Sequence, residues 1–129
     1  MITEDYASFE TAKLLKEKGF DETNCHTCYK YNGGFCKNRK SMSGVDTMIS
    51  YQAPTLQMAM KWLRKEHNLA ISTSITADGW SSYVSQIKLD SAGFVVDIID
   101  GIDNGNIPNY DTYEEVCEAA INYCLEKIL

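Results

Sequence analysis

The sequence contains few prolines and no long apolar run. Two prolines and eight glycines among 129 residues exclude collagen-like and linker-rich classes of protein. No uninterrupted apolar run is longer than three residues, as in Phe94 to Val96, so we predict no transmembrane helix and no membrane partner. The opening, Met1 to Asp5, is acidic and lacks an apolar segment, so we expect no signal peptide.

The chain contains an odd number of cysteines, which argues against a framework of disulfides. An odd number of cysteines without a signal peptide is typical of reduced thiols, so we predict a cytoplasmic protein. Two of the five lie seven residues apart on one predicted helix face, where they are interpreted as buried small hydrophobes. The cysteines are Cys25, Cys28, Cys36, Cys117 and Cys124.

The overall composition is that of a small acidic globular protein. Hydrophobic residues make up 44% of the chain and charged residues 23%, which excludes global disorder. The length matches the commonest domain size, so a single domain over residues 1–129 is predicted.

Charge is distributed unevenly along the chain, which has a formal net charge of −6. Residues 23–88 contain eight basic and three acidic side chains, whereas residues 89–129 contain nine acidic and one basic. Such asymmetry can steer a partner or a second copy of the chain.

Apolar residues recur at helical spacing in three places. Ser8 can cap the first helix, Pro54 suits the first turn of the second, and Thr112 with Glu115 has the spacing of a capping box before the third. The helices are predicted over about residues 8–18, 54–67 and 113–128.

Period-two patterns and glycine-containing turns indicate strands between these helices. Asn32-Gly33-Gly34 and Asp78-Gly79 are strong signals for hairpin turns. We predict a hairpin over about 24–40, strands over 69–76, 80–89 and 94–99, and loops over 41–52 and 100–111.

The predicted order is helix, strand, strand, helix, strand, strand, a further candidate strand and helix. The hairpins make the sheet antiparallel, which gives an α+β fold class. A weak repeat of two α-β-β units, 8–52 and 53–99, closed by helix 113–128, is also consistent with the pattern.

Three stretches of the chain are similar to known sequences. The opening at 2–22, APTLQMAMKWLR at 53–64 and TYEEVCEAAINYCLE at 112–126 resemble a group of small uncharacterised proteins of gut bacteria and their phages. This resemblance implies a phage- or mobile-element-encoded protein, but it implies no activity.

The cysteine cluster near residue 30 is a candidate metal site. Cys25 and Cys28 have the Cys-x2-Cys spacing that can chelate zinc, and Cys36 would be a third ligand. His26 or His67 would complete a closed site of four ligands. The alternatives are a redox Cys-x2-Cys motif and a hairpin with small, partly buried thiols and no cofactor.

The hairpin at 28–40 is a candidate nucleic-acid interface because it contains bases and flat rings but no acid. Cations suit phosphate contacts, and aromatic rings suit base stacking. The candidate contacts are Lys30, Lys37, Arg39, Lys40, Tyr29, Tyr31 and Phe35.

Catalytic motifs are absent from the sequence, so an enzyme is less favoured than a binding protein. A catalytic site assembled from scattered residues, such as His26 or His67 beside a cysteine, stays open. The leading hypothesis is a small accessory protein that binds another protein or itself. Its candidate contact face is acidic and comprises Glu114, Glu115 and Glu118.

Overall fold

The computed structural model describes residues 2–88, 96–98 and 106–129. Its helices are α1 (Phe9–Glu17), α2 (Gly44–Met48), α3 (Leu56–His67) and α4 (Tyr113–Tyr123), with a 3-10 turn at Arg39–Ser41 and a π-helical turn at Cys124–Ile128. Its strands are β1 (Cys28–Tyr29), β2 (Phe35–Cys36), β3 (Tyr51–Gln52), β4 (Leu69–Thr76), β5 (Gly79–Ile87), β6 (Val96–Ile98) and β7 (Asn106–Tyr110). All strand pairs are antiparallel, so the predicted α+β class is confirmed.

Two predicted loops contain secondary structure. The stretch 41–52 includes α2, which Ser43 caps by accepting a hydrogen bond from the Asp46 N–H at 3.2 Å, and it also includes β3. The stretch 100–111 includes β7, which pairs with β5. Both elements are short and polar, so neither has the period that marks longer elements. Positions 89, 94, 95 and 99–105 of the predicted strands and loop lie outside the described residues.

The chain divides into two compact units, Met1–Gln57 and Met58–Leu129. Helix α3 begins in unit 1 and continues into unit 2. Among the described residues, no helix combines the length and the apolar character needed to cross a membrane.

Unit 1 contains a small sheet with the strand order β2-β1-β3. Tyr29 lies opposite both Phe35 and Tyr51, so these three rings share the aromatic face of the sheet. Phe9 of α1 packs edge-on against Tyr29 and Tyr51, with ring centroids 5.6 Å apart in each case. Aromatic pairs at this distance stabilise beyond the area that they bury.

Unit 2 contains a sheet in which β5 is central. β4 pairs with β5 over eight residues, and the opposite edge of β5 is shared by β6 and β7. Helix α4 covers one face, where Val116 and Ala120 pack against Ile71, Trp80 and Tyr110. This apolar contact uses the stripe that the sequence predicts for the last helix.

Candidate functional site

The second face of the unit 1 sheet contains two thiols side by side. Cys28 on β1 lies directly opposite Cys36 on β2, and Gln52 lies opposite Cys28 on the other side. Directly opposed residues project from the same face, so these three side chains form what we call the thiol face. The Cys28 Sγ contacts the Met42 Sδ at 3.3 Å, which brings a third sulfur to this face.

Burial keeps most of the thiols protonated. Burial raises the pKa of Cys28, and the neighbouring Cys36 thiol raises it further. Burial also raises the pKa of Cys25 and Cys117, and it raises that of Cys124 to about 12. A protonated thiol is a poor nucleophile, so none of these four cysteines is activated for covalent catalysis. Cys117 and Cys124 are fully buried, as their helical stripe predicts.

The four predicted zinc ligands are only partly brought together. Cys28 and Cys36 are neighbours, but the Cys25 thiol donates to the Thr27 carbonyl at 3.6 Å, and His26 is exposed. Across 2–88, 96–98 and 106–129, no three His, Cys, Asp or Glu side chains cluster in a way that could hold a metal ion. The alternative ligand His67 lies at the end of α3, with its ring edge-on to Trp62. The zinc site stays a prediction.

The predicted nucleic-acid contacts have different environments. Tyr29 and Phe35 pack against each other, with ring centroids 5.4 Å apart, so these rings contribute to the packing of unit 1. Tyr31 is 67% exposed, and Lys30, Lys37 and Lys40 are exposed as well. A ligand could reach these four side chains and also Phe35, which is 42% exposed although it packs against Tyr29.

Arg39, the remaining predicted contact, has a structural role. Its guanidinium donates to the Thr47 carbonyl at 3.2 Å and to the Ser50 Oγ at 3.4 Å. Lys16 acts similarly, since its Nζ donates to the Met48 and Ser50 carbonyls at 3.1 and 3.0 Å. Both cations therefore fix the segment that connects the 3-10 turn to β3.

Unit 1 also has two adjoining cavities that share Asp21, Arg39 and Gln52 as lining residues. The larger is about 470 Å³ and the smaller about 240 Å³. Cys25 and His26 both line the smaller one, so this candidate catalytic pair shares a cavity. The raised pKa of Cys25 opposes that role, because the thiolate is the nucleophile.

The acidic residues of the predicted partner face lie at the start of α4. Thr112 caps the helix by accepting from the Glu115 N–H at 3.1 Å. Glu114 and Glu115 are exposed, whereas Glu118 is half-buried. Glu114 and Glu115 lie in the first turn, near the positive end of the helix dipole, where a carboxylate is stabilised by about 0.3–1 kcal/mol.

The outer edge of β4 is a candidate site that the sequence analysis missed. Within the described part of the chain, β4 pairs with β5 alone, so its other edge has no strand beside it. The strand reads LAISTSIT and contains no charge and no proline. The sequence shows that this strand contains no charge and no proline. It does not show that the strand lies at the edge of the sheet, because that depends on which strands pair.

The comparisons with known proteins leave the geometry as the basis for function. The chain matches no family model, no curated protein and no solved structure.

Proposed function

We propose that the protein is a cytoplasmic accessory protein that binds a basic, extended segment of another protein along the outer edge of β4. The partner segment would add one strand to the unit 2 sheet. The observation that carries this proposal is an uncharged eight-residue strand with an edge that no other described strand pairs with. Five free thiols support the cytoplasmic location, because disulfides persist in oxidising compartments.

The ladder between β4 and β5 determines which main-chain groups point outward. The Ile87 N–H donates to the Asn68 carbonyl at 2.7 Å, so this pair is of the hydrogen-bonded kind. Hydrogen-bonded and non-hydrogen-bonded pairs alternate along an antiparallel ladder. Residues at even positions of β4 therefore bond to β5, and those at odd positions direct their main-chain groups away from it. Ile71, Thr73 and Ile75 form what we call the β4 edge.

The residues of β4 itself provide none of the devices that protect sheet edges from other chains. Natural edges are usually blunted by lysine, proline, bulges or inward-pointing charges. The eight β4–β5 pairs run in continuous register, and Ile75 is 66% exposed without a charged neighbour in the strand. An accessible edge of this kind favours β-augmentation, in which main-chain hydrogen bonds supply the affinity.

The charge of unit 2 favours a basic partner over a second copy of the chain. Residues 58–129 contain eleven acidic and five basic side chains, whereas residues 1–57 contain seven of each. Two copies joined at the β4 edge would bring two acidic units together, which costs energy at low salt. A basic segment meets the opposite field and is attracted.

A proline at position 73 tests the edge with little disturbance of the sheet. Thr73→Pro removes one outward N–H and no β4–β5 hydrogen bond, and proline is tolerated on such edges. We expect ten-residue peptides selected from a random displayed library on the wild-type protein to be basic and rich in β-branched residues. They should bind the wild type and fail to bind Thr73→Pro, as measured by fluorescence anisotropy.

Two controls separate loss of the edge from loss of the fold. Circular dichroism and urea unfolding of Thr73→Pro should match the wild type, whereas Ser74→Pro should unfold more easily because it removes an inward ladder bond. Peptides N-methylated at alternate residues should lose binding. A library that yields no binder, or peptides that bind Thr73→Pro equally well, would contradict the proposal. A wild-type dimer that Thr73→Pro dissociates would assign the edge to a second copy instead.

Neutralising the acidic face of α4 should weaken the binding of the same peptides. In Glu114→Gln/Glu115→Gln/Glu118→Gln we expect a loss of about 0.2–1 kcal/mol of binding free energy per charge at low salt. The dependence of the dissociation constant on salt should become flatter. The control Glu4→Gln/Glu10→Gln/Glu17→Gln makes the same change of charge in unit 1. Equal salt dependence in both variants would show that the acidic face does not contribute.

A further inference from the structure

Three sulfur atoms converge on the thiol face of unit 1, and their chemistry matches a soft metal ion. Cys28 and Cys36 are directly opposed across β1 and β2, which places their Cβ atoms about 4.5–5.5 Å apart. The Met42 Sδ lies 3.3 Å from the Cys28 Sγ. Met42 follows the 3-10 turn, whose position is fixed by the hydrogen bond of the Arg39 N–H to the His26 carbonyl.

We propose that Cys28, Cys36 and Met42 form a binding site for one Cu(I) ion. Thiolate and thioether ligands select Cu(I), whereas a structural zinc site takes four ligands from Cys, His, Asp and Glu. No such group of three or more is gathered in the part of the chain that the structure describes. Two cysteines and a methionine are thus too few for closed zinc coordination and suit a soft ion of low coordination number.

The environment of the three sulfurs supports the charge of the loaded site. Binding breaks two S–H bonds, forms two copper–thiolate bonds and one copper–thioether bond, and releases two protons to solvent. Copper stays Cu(I), so no electron is transferred, and the site gains one net negative charge. Arg39 lines the same small cavity as Met42, so its positive charge would offset that negative charge.

The smaller cavity of unit 1 reaches one of the three sulfurs, that of Met42, whereas Cys28 and Cys36 are not among its lining residues. Met42 and Arg39 both line this cavity of about 240 Å³. Cys36 is only half-buried, so the face is also accessible from the β2 side. An entry path and a suitable ligand set are the two properties that a metal site must show together.

An anaerobic titration of the reduced full chain with Cu(I), against a chromophoric Cu(I) chelator, tests the site. We expect one copper per wild-type chain and loss of that copper in Cys36→Ser. X-ray absorption at the copper edge should give three sulfur ligands in the wild type and two in Met42→Leu. The matched controls Met48→Leu and Cys117→Ala should bind copper like the wild type.

The outcomes separate copper binding from its alternatives. Circular dichroism tests whether Cys36→Ser is folded, which is the expected result because Cys36 is only half-buried. Absence of copper from the wild type, or its retention by Cys36→Ser, would overturn the proposal. A Zn²⁺ titration run in parallel tests whether the same cysteines bind zinc. Tight zinc binding that needs Cys25 and His26 and that Cu(I) does not displace would assign the cysteines to a four-ligand zinc site instead.

Discussion

Replacement of Gly79 by alanine is expected to lower the free energy of unfolding by roughly 2–4 kcal/mol. Gly79 closes the β4–β5 turn with a φ of +124°, a conformation that residues with a Cβ rarely adopt. A Cβ at this position would also lie 2.7 Å from the Tyr110 carbonyl oxygen. That oxygen belongs to the main chain of β7, so it cannot move aside as a side chain would. The two costs add because strain in the backbone torsion at position 79 and overlap of the Cβ with the Tyr110 oxygen are separate contributions.

Gly44→Ala is the matched control for this prediction. Gly44 lies in α2, and a Cβ there would meet no atom within 4 Å. We expect the free energy of unfolding of this variant to equal that of the wild type or to exceed it by about 0.4–1 kcal/mol, because alanine restricts the conformations of the unfolded chain. Urea unfolding followed by far-ultraviolet circular dichroism measures both variants, because this signal reports on the secondary structure of both units. Equal midpoints for the two variants would mean that the turn does not require a glycine.

Loss of the Gln52 side-chain amide should have the second large effect. In Gln52→Leu we expect unfolding to become easier by roughly 2–4 kcal/mol, since buried polar groups left without partners cost about 1–3 kcal/mol each. The Gln52 Oε1 accepts from the Glu22 N–H at 2.9 Å. Its Nε2 donates to the carbonyls of Glu22 and Cys25, at 2.7 and 3.3 Å. One side chain thus satisfies three main-chain groups of the segment after α1.

Gln52→Glu distinguishes these hydrogen bonds from simple packing. A carboxylate would face two carbonyl oxygens, and because Gln52 is 6% exposed, water cannot compensate. The folded state should therefore raise the pKa of this glutamate above its unfolded value of about 4.3. The stability of Gln52→Glu is therefore retained below the unfolded pKa and is lost as the pH rises through the folded pKa. Its free energy of unfolding should fall further below that of the wild type at pH 7 than at pH 4. Urea midpoints from circular dichroism, with Gln52→Leu as the pH-independent reference, check this result.

The long elements of the fold could be predicted because they have a clear period. The alternation of Leu69–Thr76 predicts β4 with its observed bounds, and the helical stripe predicts α3 to within two residues. The two-residue strands β1, β2 and β3 contain too few residues to show a period. The Asn32-Gly33-Gly34 turn nevertheless predicts the hairpin of β1 and β2 within 24–40. The position of β3 follows from contacts made far along the chain, such as Cys28 with Gln52.

The candidate sites show the same limit of local information. The Cys-x2-Cys spacing pointed to Cys25 with Cys28, but the strand pairing brings Cys28 beside Cys36 and adds Met42, which no ligand motif includes. Arg39 reads as a surface cation in the hairpin, yet its guanidinium holds the Thr47 carbonyl. Side-chain partners of this kind are set by tertiary structure, so a one-dimensional pattern cannot predict them.

The alternation along β4 has a consequence for how its edge could discriminate among sequences. Hydrogen bonds from Ile71, Thr73 and Ile75 would contact only the main chain of an added strand, which is common to all polypeptides. Only every second side chain of that strand would lie on the face that α4 covers. The sequence of a ligand could therefore drift at half of its positions at little cost in affinity. Under the proposed function, such an edge would tolerate divergence in the sequence of its target and would reject N-alkylated or proline-rich chains.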